Sequence, residues 1–121
     1  MTTTISGSNG IVFPDATSMQ TGQQAVKAWV NFNGNAGAVS VNAGFNVSSV
    51  TEVSTGSYAV NFTTAMPDSN YAVTIGMRTN RSIVGYVPSS NTTTSASILS
   101  RSAINGGSSI DIDEISVAFF R

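Results

Sequence analysis

From residue 25 onward, apolar and polar positions alternate along the chain with a period of two. Val26, Ala28, Val30 and Phe32 interleave with Lys27, Trp29 and Asn31, and Tyr58, Val60 and Phe62 interleave with Ala59, Asn61 and Thr63. Tyr71, Val73, Ile75 and Met77 make the cleanest run. Successive side chains of a strand point to opposite faces, so each run predicts a strand with one buried face. Shorter strands are predicted at Val39 and Val41, from Phe45 through Val47 and Val50 towards Ser54, over Ile83 to Val87, over Ala96 to Ser100, and at Ile115, Val117 and Phe119. Segments rich in Gly, Asn, Ser and Pro separate them, the residue types that turns favour. Nothing reads as a long amphipathic helix. Seven to eight short strands with frequent turns predict an all-β domain, an antiparallel β-sandwich over residues 25–121.

Residues 1–24 lack this alternation. They are polar, with one apolar knot at Ile11-Val12-Phe13-Pro14. Pro14 fixes its own φ and pushes Phe13 towards an extended conformation. The segment reads as an extended N-terminal arm with one strand-like piece, or as a disordered leader.

Two strands break the one-face rule. The last carries Ile115, Val117 and Phe119 on one side and Ala118 and Phe120 on the other, and the Trp29 strand is apolar on both sides. In a small sandwich the second face needs a cover, so a homo-oligomer is expected, with Trp29, Phe119 and Phe120 at its interface. The other reading is scattered surface apolar groups.

Composition agrees with the strand reading. Leu occurs once, Val and Ile together 22 times, and Ser and Thr together 33 times in 121 residues. β-branched side chains suit a pleated surface, and helix formers are scarce. Charged residues make up 9% of the chain, with a formal net charge of −1. That balance leaves no basic stripe for a phosphate backbone, so nucleic-acid binding is not expected. No run approaches the length of a membrane span, and the start has neither the basic nor the apolar region of a signal peptide. Membrane insertion and export by that route are therefore not expected. With no His and no Cys, imidazole bases, thiol nucleophiles, disulfides and ordinary zinc sites are excluded.

Little chemistry remains. The one carboxylate cluster is Asp111-Ile112-Asp113-Glu114. Asp111 and Asp113 on one strand face would suit a hard cation, but the segment lacks the pattern of a calcium loop and reads as a solvated loop before the last strand. Neighbouring carboxylates do not face each other across a cleft as glycoside hydrolysis requires. A Ser nucleophile would have only Lys27 as base, with no supporting pattern. No enzyme activity, cofactor or metal is expected. Four Asn-x-Ser/Thr sequons, at Asn46, Asn61, Asn80 and Asn91, are what chance gives in so Ser/Thr-rich a chain. The candidate ligand residues are Arg78, Asn80, Arg81, Tyr86 and Asn91, in or beside the polar loops from Arg78 to Ser82 and from Pro88 to Ser95. With the turn from Asn105 to Ser109 these are the longest polar turns, and recognition is expected in them at one end of the sandwich. Planar Arg and Asn groups suit sugar hydroxyls or a carboxylate, and a Tyr ring can stack on a pyranose. The blander reading gives the arginines to solubility or to intersubunit ion pairs.

Several segments resemble phage tail-fibre proteins. Gly10-Ile-Val-Phe-Pro-Asp15 with Met19-Gln20-Thr21 resembles a short segment common in that family. Lys27-Ala-Trp-Val-Asn-Phe-Asn-Gly34 is similar to the motif that opens a distal domain there. Phe45-Asn-Val-Ser-Ser-Val50, the stretch from Gly56 to Tyr71 and the C-terminal Ser116-Val-Ala-Phe-Phe-Arg121 continue the likeness. It departs at Val50 to Thr55 and through the loops from Arg78 to Gly107. The resemblance implies a trimeric β-sandwich at a fibre tip, or another small tail or baseplate component, carried on the virion and made in the host cytoplasm. It implies host surface polysaccharide as ligand, held by loops at one end of the sandwich, and other virion tail proteins as partners of the N-terminal arm. The alternative is a structural connector that touches no receptor.

Overall fold

The computed structural model describes residues 4–6, 10–12, 18–19, 26–35, 37, 39–79, 83–86 and 90–121. Three short strands come first: β1 (Thr4–Ser6), β2 (Gly10–Val12) and β3 (Ser18–Met19). Eight follow: β4 (Val26–Asn33), β5 (Ser40–Phe45), β6 (Val47–Ser54), β7 (Ser57–Phe62), β8 (Ala72–Arg78), β9 (Ile83–Tyr86), β10 (Ser95–Ser102) and β11 (Glu114–Phe120). Among the described residues, one 3-10 turn spans Asn105–Gly107. No helix among the described residues is long and apolar enough to cross a membrane.

The eight strands form two antiparallel sheets, ordered β5-β4-β11-β8 and β6-β7-β10-β9. Their facing sides share one core. Ala28, Val30 and Phe32 of β4 and Ile115, Val117 and Phe119 of β11 meet Tyr58, Val60 and Phe62 of β7 and Ala96 and Ile98 of β10. Rings interlock edge to face across the layers, Phe32 on Tyr58 at 5.3 Å and Phe62 on Phe119 at 5.0 Å. The period-two positions of β4, β7 and β10 are the buried ones, as alternation requires.

Three expectations are corrected. Phe119 is fully buried inside the sandwich, so it serves the protomer's own core and offers nothing to a neighbouring copy. The run from Phe45 to Ser54 is not one strand. Asn46 takes a left-handed conformation (φ 55°), and the chain crosses there from the first sheet to the second. Asn is the residue other than Gly that best tolerates this region. Finally, the N-terminal segment does not contain one strand-like piece. β1, β2 and β3 pair into a small antiparallel sheet of their own. Phe13 and Pro14 lie outside the described residues.

The registers give the sandwich two distinct ends. Asn33 pairs with Ser40, Ser54 with Ser57 and Glu114 with Arg78 at one of them, here called the distal end. The β4–β5, β6–β7, β8–β9 and β10–β11 connections therefore gather there. The opposite, terminal end holds the start of β4, the end of β11 and the β5–β6, β7–β8 and β9–β10 connections.

Candidate functional site

A cleft of about 830 Å³ opens at the distal end, between the β4–β5 connection, the β6–β7 turn, the end of β8 and the loop before β11. Asn35, Thr55, Arg78, Ser109, Asp111 and Asp113 bring their polar groups to it. Its walls are held from behind. Gly34 N–H donates to the Ile112 carbonyl at 2.9 Å, and the Tyr58 hydroxyl donates to the Gly34 carbonyl at 2.6 Å. Only a glycine fits here, because a Cβ on Gly34 would sit 2.7 Å from the Tyr58 oxygen. Gly56, at φ 66° in the β6–β7 turn, donates its N–H to Asp111 Oδ1 at 2.7 Å. The same oxygen lies 3.1 Å from the Tyr58 hydroxyl. Ser100, fully buried, donates to the Ile110 carbonyl and ties β10 to the loop.

Charge in the cleft is fixed by these contacts. Burial, with the Asp111 carboxylate beside it, pushes the Tyr58 phenol well above its ordinary value, so it stays a donor. Asp113 Oδ1 accepts from Asn35 Nδ2 at 2.8 Å, and Asn35 N–H donates to Asn33 Oδ1 at 2.9 Å. Arg78, 84% exposed at the lip, pairs with Glu114 at 3.2 Å. Asn31 Nδ2 and then Arg78 hold the Glu114 carboxyl below its ordinary range. Carboxylate, amide, hydroxyl and guanidinium groups thus surround one open space, an arrangement suited to a ligand rich in hydroxyls. Among the described residues, no three of His, Cys, Asp or Glu gather as a metal site would need.

The candidate residues do not all come together. Arg78 is at the cleft, and its ion pair is within the chain. Asn80 and Arg81 lie outside the described residues. Tyr86 is described by its backbone, at the last position of β9 opposite Leu99. Asn91 is at the terminal end, where its Oδ1 accepts the Ser97 N–H at 3.1 Å. The loop around it is fixed by the Tyr71 hydroxyl, which donates to the carbonyls of Thr92 and Ser95. The expectation that the candidate residues share one end is therefore overturned for Arg78 and Asn91: Arg78 pairs with Glu114 at the distal end, whereas Asn91 holds Ser97 near the terminal end of β10. Asp111 and Asp113 lie in the loop before the last strand, as the sequence pattern predicts, and share no strand face. Both line the cleft. Asn35 and Thr55 were missed as site residues, whereas Ser109 belongs to the expected polar turn from Asn105 to Ser109 and does line the cleft. Their turns were legible, but which turns meet is set by strand order.

The outer faces of the two sheets differ. On β5-β4-β11-β8, Phe45, Trp29, Ala118 and Thr74 form one cross-strand row, with Phe120 and Ala72 in the next. Phe45 is 55% exposed, Trp29 38% and Phe120 37%. The other sheet presents polar groups there, including Asn61, whose Nδ2 donates to Ser49 Oγ at 3.0 Å.

Comparison with protein-family models, with characterised proteins and with solved structures matched nothing.

Proposed function

We propose that the chain is an adhesion module, the tip of a phage tail fibre carried on the virion, and that its distal cleft takes a host surface glycan. The placement of the cleft supports this reading most directly. β4 begins and β11 ends at the end opposite the cleft, which leaves the distal connections available to an outside ligand. The cleft's groups suit hydroxyls, and connections on a rigid β scaffold are where binding residues are commonly carried. The resemblance of the Lys27–Gly34 and Gly56–Tyr71 stretches to tail-fibre sequences points the same way.

In this reading three copies assemble through the face that carries Trp29 and Phe120. Rings exposed beside small residues on a flat sheet are the kind of surface that association removes from water. Three weak sites on one tip then reinforce one another on a repetitive cell surface. The test is light scattering combined with adsorption to purified surface polysaccharides. Three times the 12.5 kDa chain mass and saturable adsorption are expected. A monomer would overturn the assembly. A trimer that adsorbs to no polysaccharide would favour the connector role.

A further inference from the structure

We propose a second binding site, for a pyranose ring that carries a carboxylate, in a groove at the terminal end formed by Lys27, Phe45, Asn46, Thr63 and Thr64. The groove measures about 480 Å³ and is separate from the distal cleft. Phe45 borders Trp29 on the face proposed for assembly, so the site requires contacts between copies that run over Trp29 and Phe120 and stop short of Phe45.

Three features converge in it. Phe45, on the edge strand β5, leaves more than half its surface in water, and an exposed ring gives a flat apolar platform for the C–H face of a sugar. Lys27 supplies a positive charge. Among the described residues it has no acidic partner, whereas Arg78 and Arg121 are paired with Glu114 and Asp68. Asp68, the carboxylate of the neighbouring β7–β8 connection, accepts from Nη2 and Nε of Arg121 at 2.7 and 2.9 Å, so it does not answer Lys27. Thr63 and Thr64 add exposed hydroxyls on the facing wall.

Asn46 fixes these walls in place. Its Nδ2 donates to the carbonyls of Lys27 and Thr64 at 3.1 and 3.0 Å. Its Oδ1 accepts the Thr64 N–H at 2.7 Å, and its own carbonyl accepts the Thr63 N–H. The backbone that carries platform, cation and hydroxyls is therefore set before a ligand arrives, which lowers the ordering cost of binding. A ring with hydroxyls alone leaves Lys27 unanswered, and a bare carboxylate leaves the platform empty. A uronic-type sugar engages both.

Trp29 is the chain's one tryptophan and lies directly across from Phe45, so its fluorescence reports on the groove. The full chain would be titrated with D-glucuronate, D-glucose and acetate, with molar mass followed by light scattering. A saturable response is expected for glucuronate, about twofold to fivefold tighter than for glucose, as one surface ion pair gives, and weaker still for acetate. Lys27→Gln should bring glucuronate down to the level of glucose. Phe45→Ser should abolish both responses with the far-UV spectrum unchanged, and Val53→Ser, outside the groove, should alter neither. Equal responses to glucuronate and glucose, acetate matching glucuronate, or a Lys27→Gln variant that keeps the preference would each overturn the proposal.

Discussion

The two ends of the sandwich are closed by different means. At the terminal end Phe62, Tyr71 and Phe119 stack edge to face, with centroids 5.0–5.9 Å apart, and the Arg121–Asp68 pair fastens the last residue beside them. At the distal end a hydrogen-bonded network centred on Tyr58, Asp111 and Gly56 replaces the ring cluster. Apolar closure fills the interior of the terminal end, whereas a few directional bonds made from behind hold the distal loops in place with polar groups at their outer edge. That difference is why the polar cleft is at the distal end.

The largest expected effect breaks the distal network at its tightest point. A Cβ on Gly56 would lie 2.6–2.8 Å from backbone atoms of Ser100 and Ile110, at a φ that side chains resist. Gly56→Ala should cost about 3 kcal/mol in denaturant unfolding. Gly37 has a similar φ but open space around it, so Gly37→Ala should cost only about 1 kcal/mol. Equal losses would mean that close approach is not what the turn depends on.

Tyr58→Phe removes one hydroxyl from the same network and should cost about 1–3 kcal/mol. Amide shifts should be confined to Gly34, Gly56 and the loop before β11. Asn46→Gly at the terminal end keeps the left-handed turn but loses three side-chain bonds, so about 1–2 kcal/mol is expected. Its shifts should fall on Lys27 and Thr64 and leave the cleft unmoved. Shifts at both ends from either variant would contradict separate closure.

The two ends also differ in pH response. The Tyr58 phenol is raised in the folded chain, first by burial and then by Asp111. Its contribution is present below the phenol's unfolded value, about 10, and is lost as pH rises through the folded one, so alkali should open the distal end first. Asp68 is lowered, first by the Arg121 hydrogen bond and then by the Asn70 N–H. Its contribution is present above the ordinary carboxylate value and is lost as pH falls through the folded one. Acid should therefore loosen the terminal end, and Asp68→Asn should flatten the acid limb of the stability profile. This is the smallest effect, because each partner is about one-third exposed and solvent screens the pair.

Strand positions were legible because burial on one face imposes a period of two, and Val26 to Phe32, Tyr58 to Phe62 and Tyr71 to Met77 obey it. Phe45 to Ser54 was misread because its alternation says nothing about which sheet each half joins. One left-handed residue, Asn46, makes that decision. Phe119 was misassigned because alternation separates two faces without saying which is inside. The cleft was only partly legible. Asp111 gains its place through Gly56 and Tyr58, more than 50 positions away, and local pattern cannot express such contacts. The grouping of Asn91 with Arg78 failed for the same reason.

Adsorption of the assembled chain to host surface polysaccharide tests the central claim most directly, with three variants compared at matched molar mass and far-UV spectrum. Asn35→Ala and Asp113→Ala, which alter the distal cleft, should weaken adsorption about tenfold or more through loss of hydrogen bonds multiplied across copies, while Asn91→Ala at the terminal end should adsorb like the parent. Full adsorption by the two cleft variants, or its loss with Asn91→Ala alone, would contradict a glycan site at the distal end.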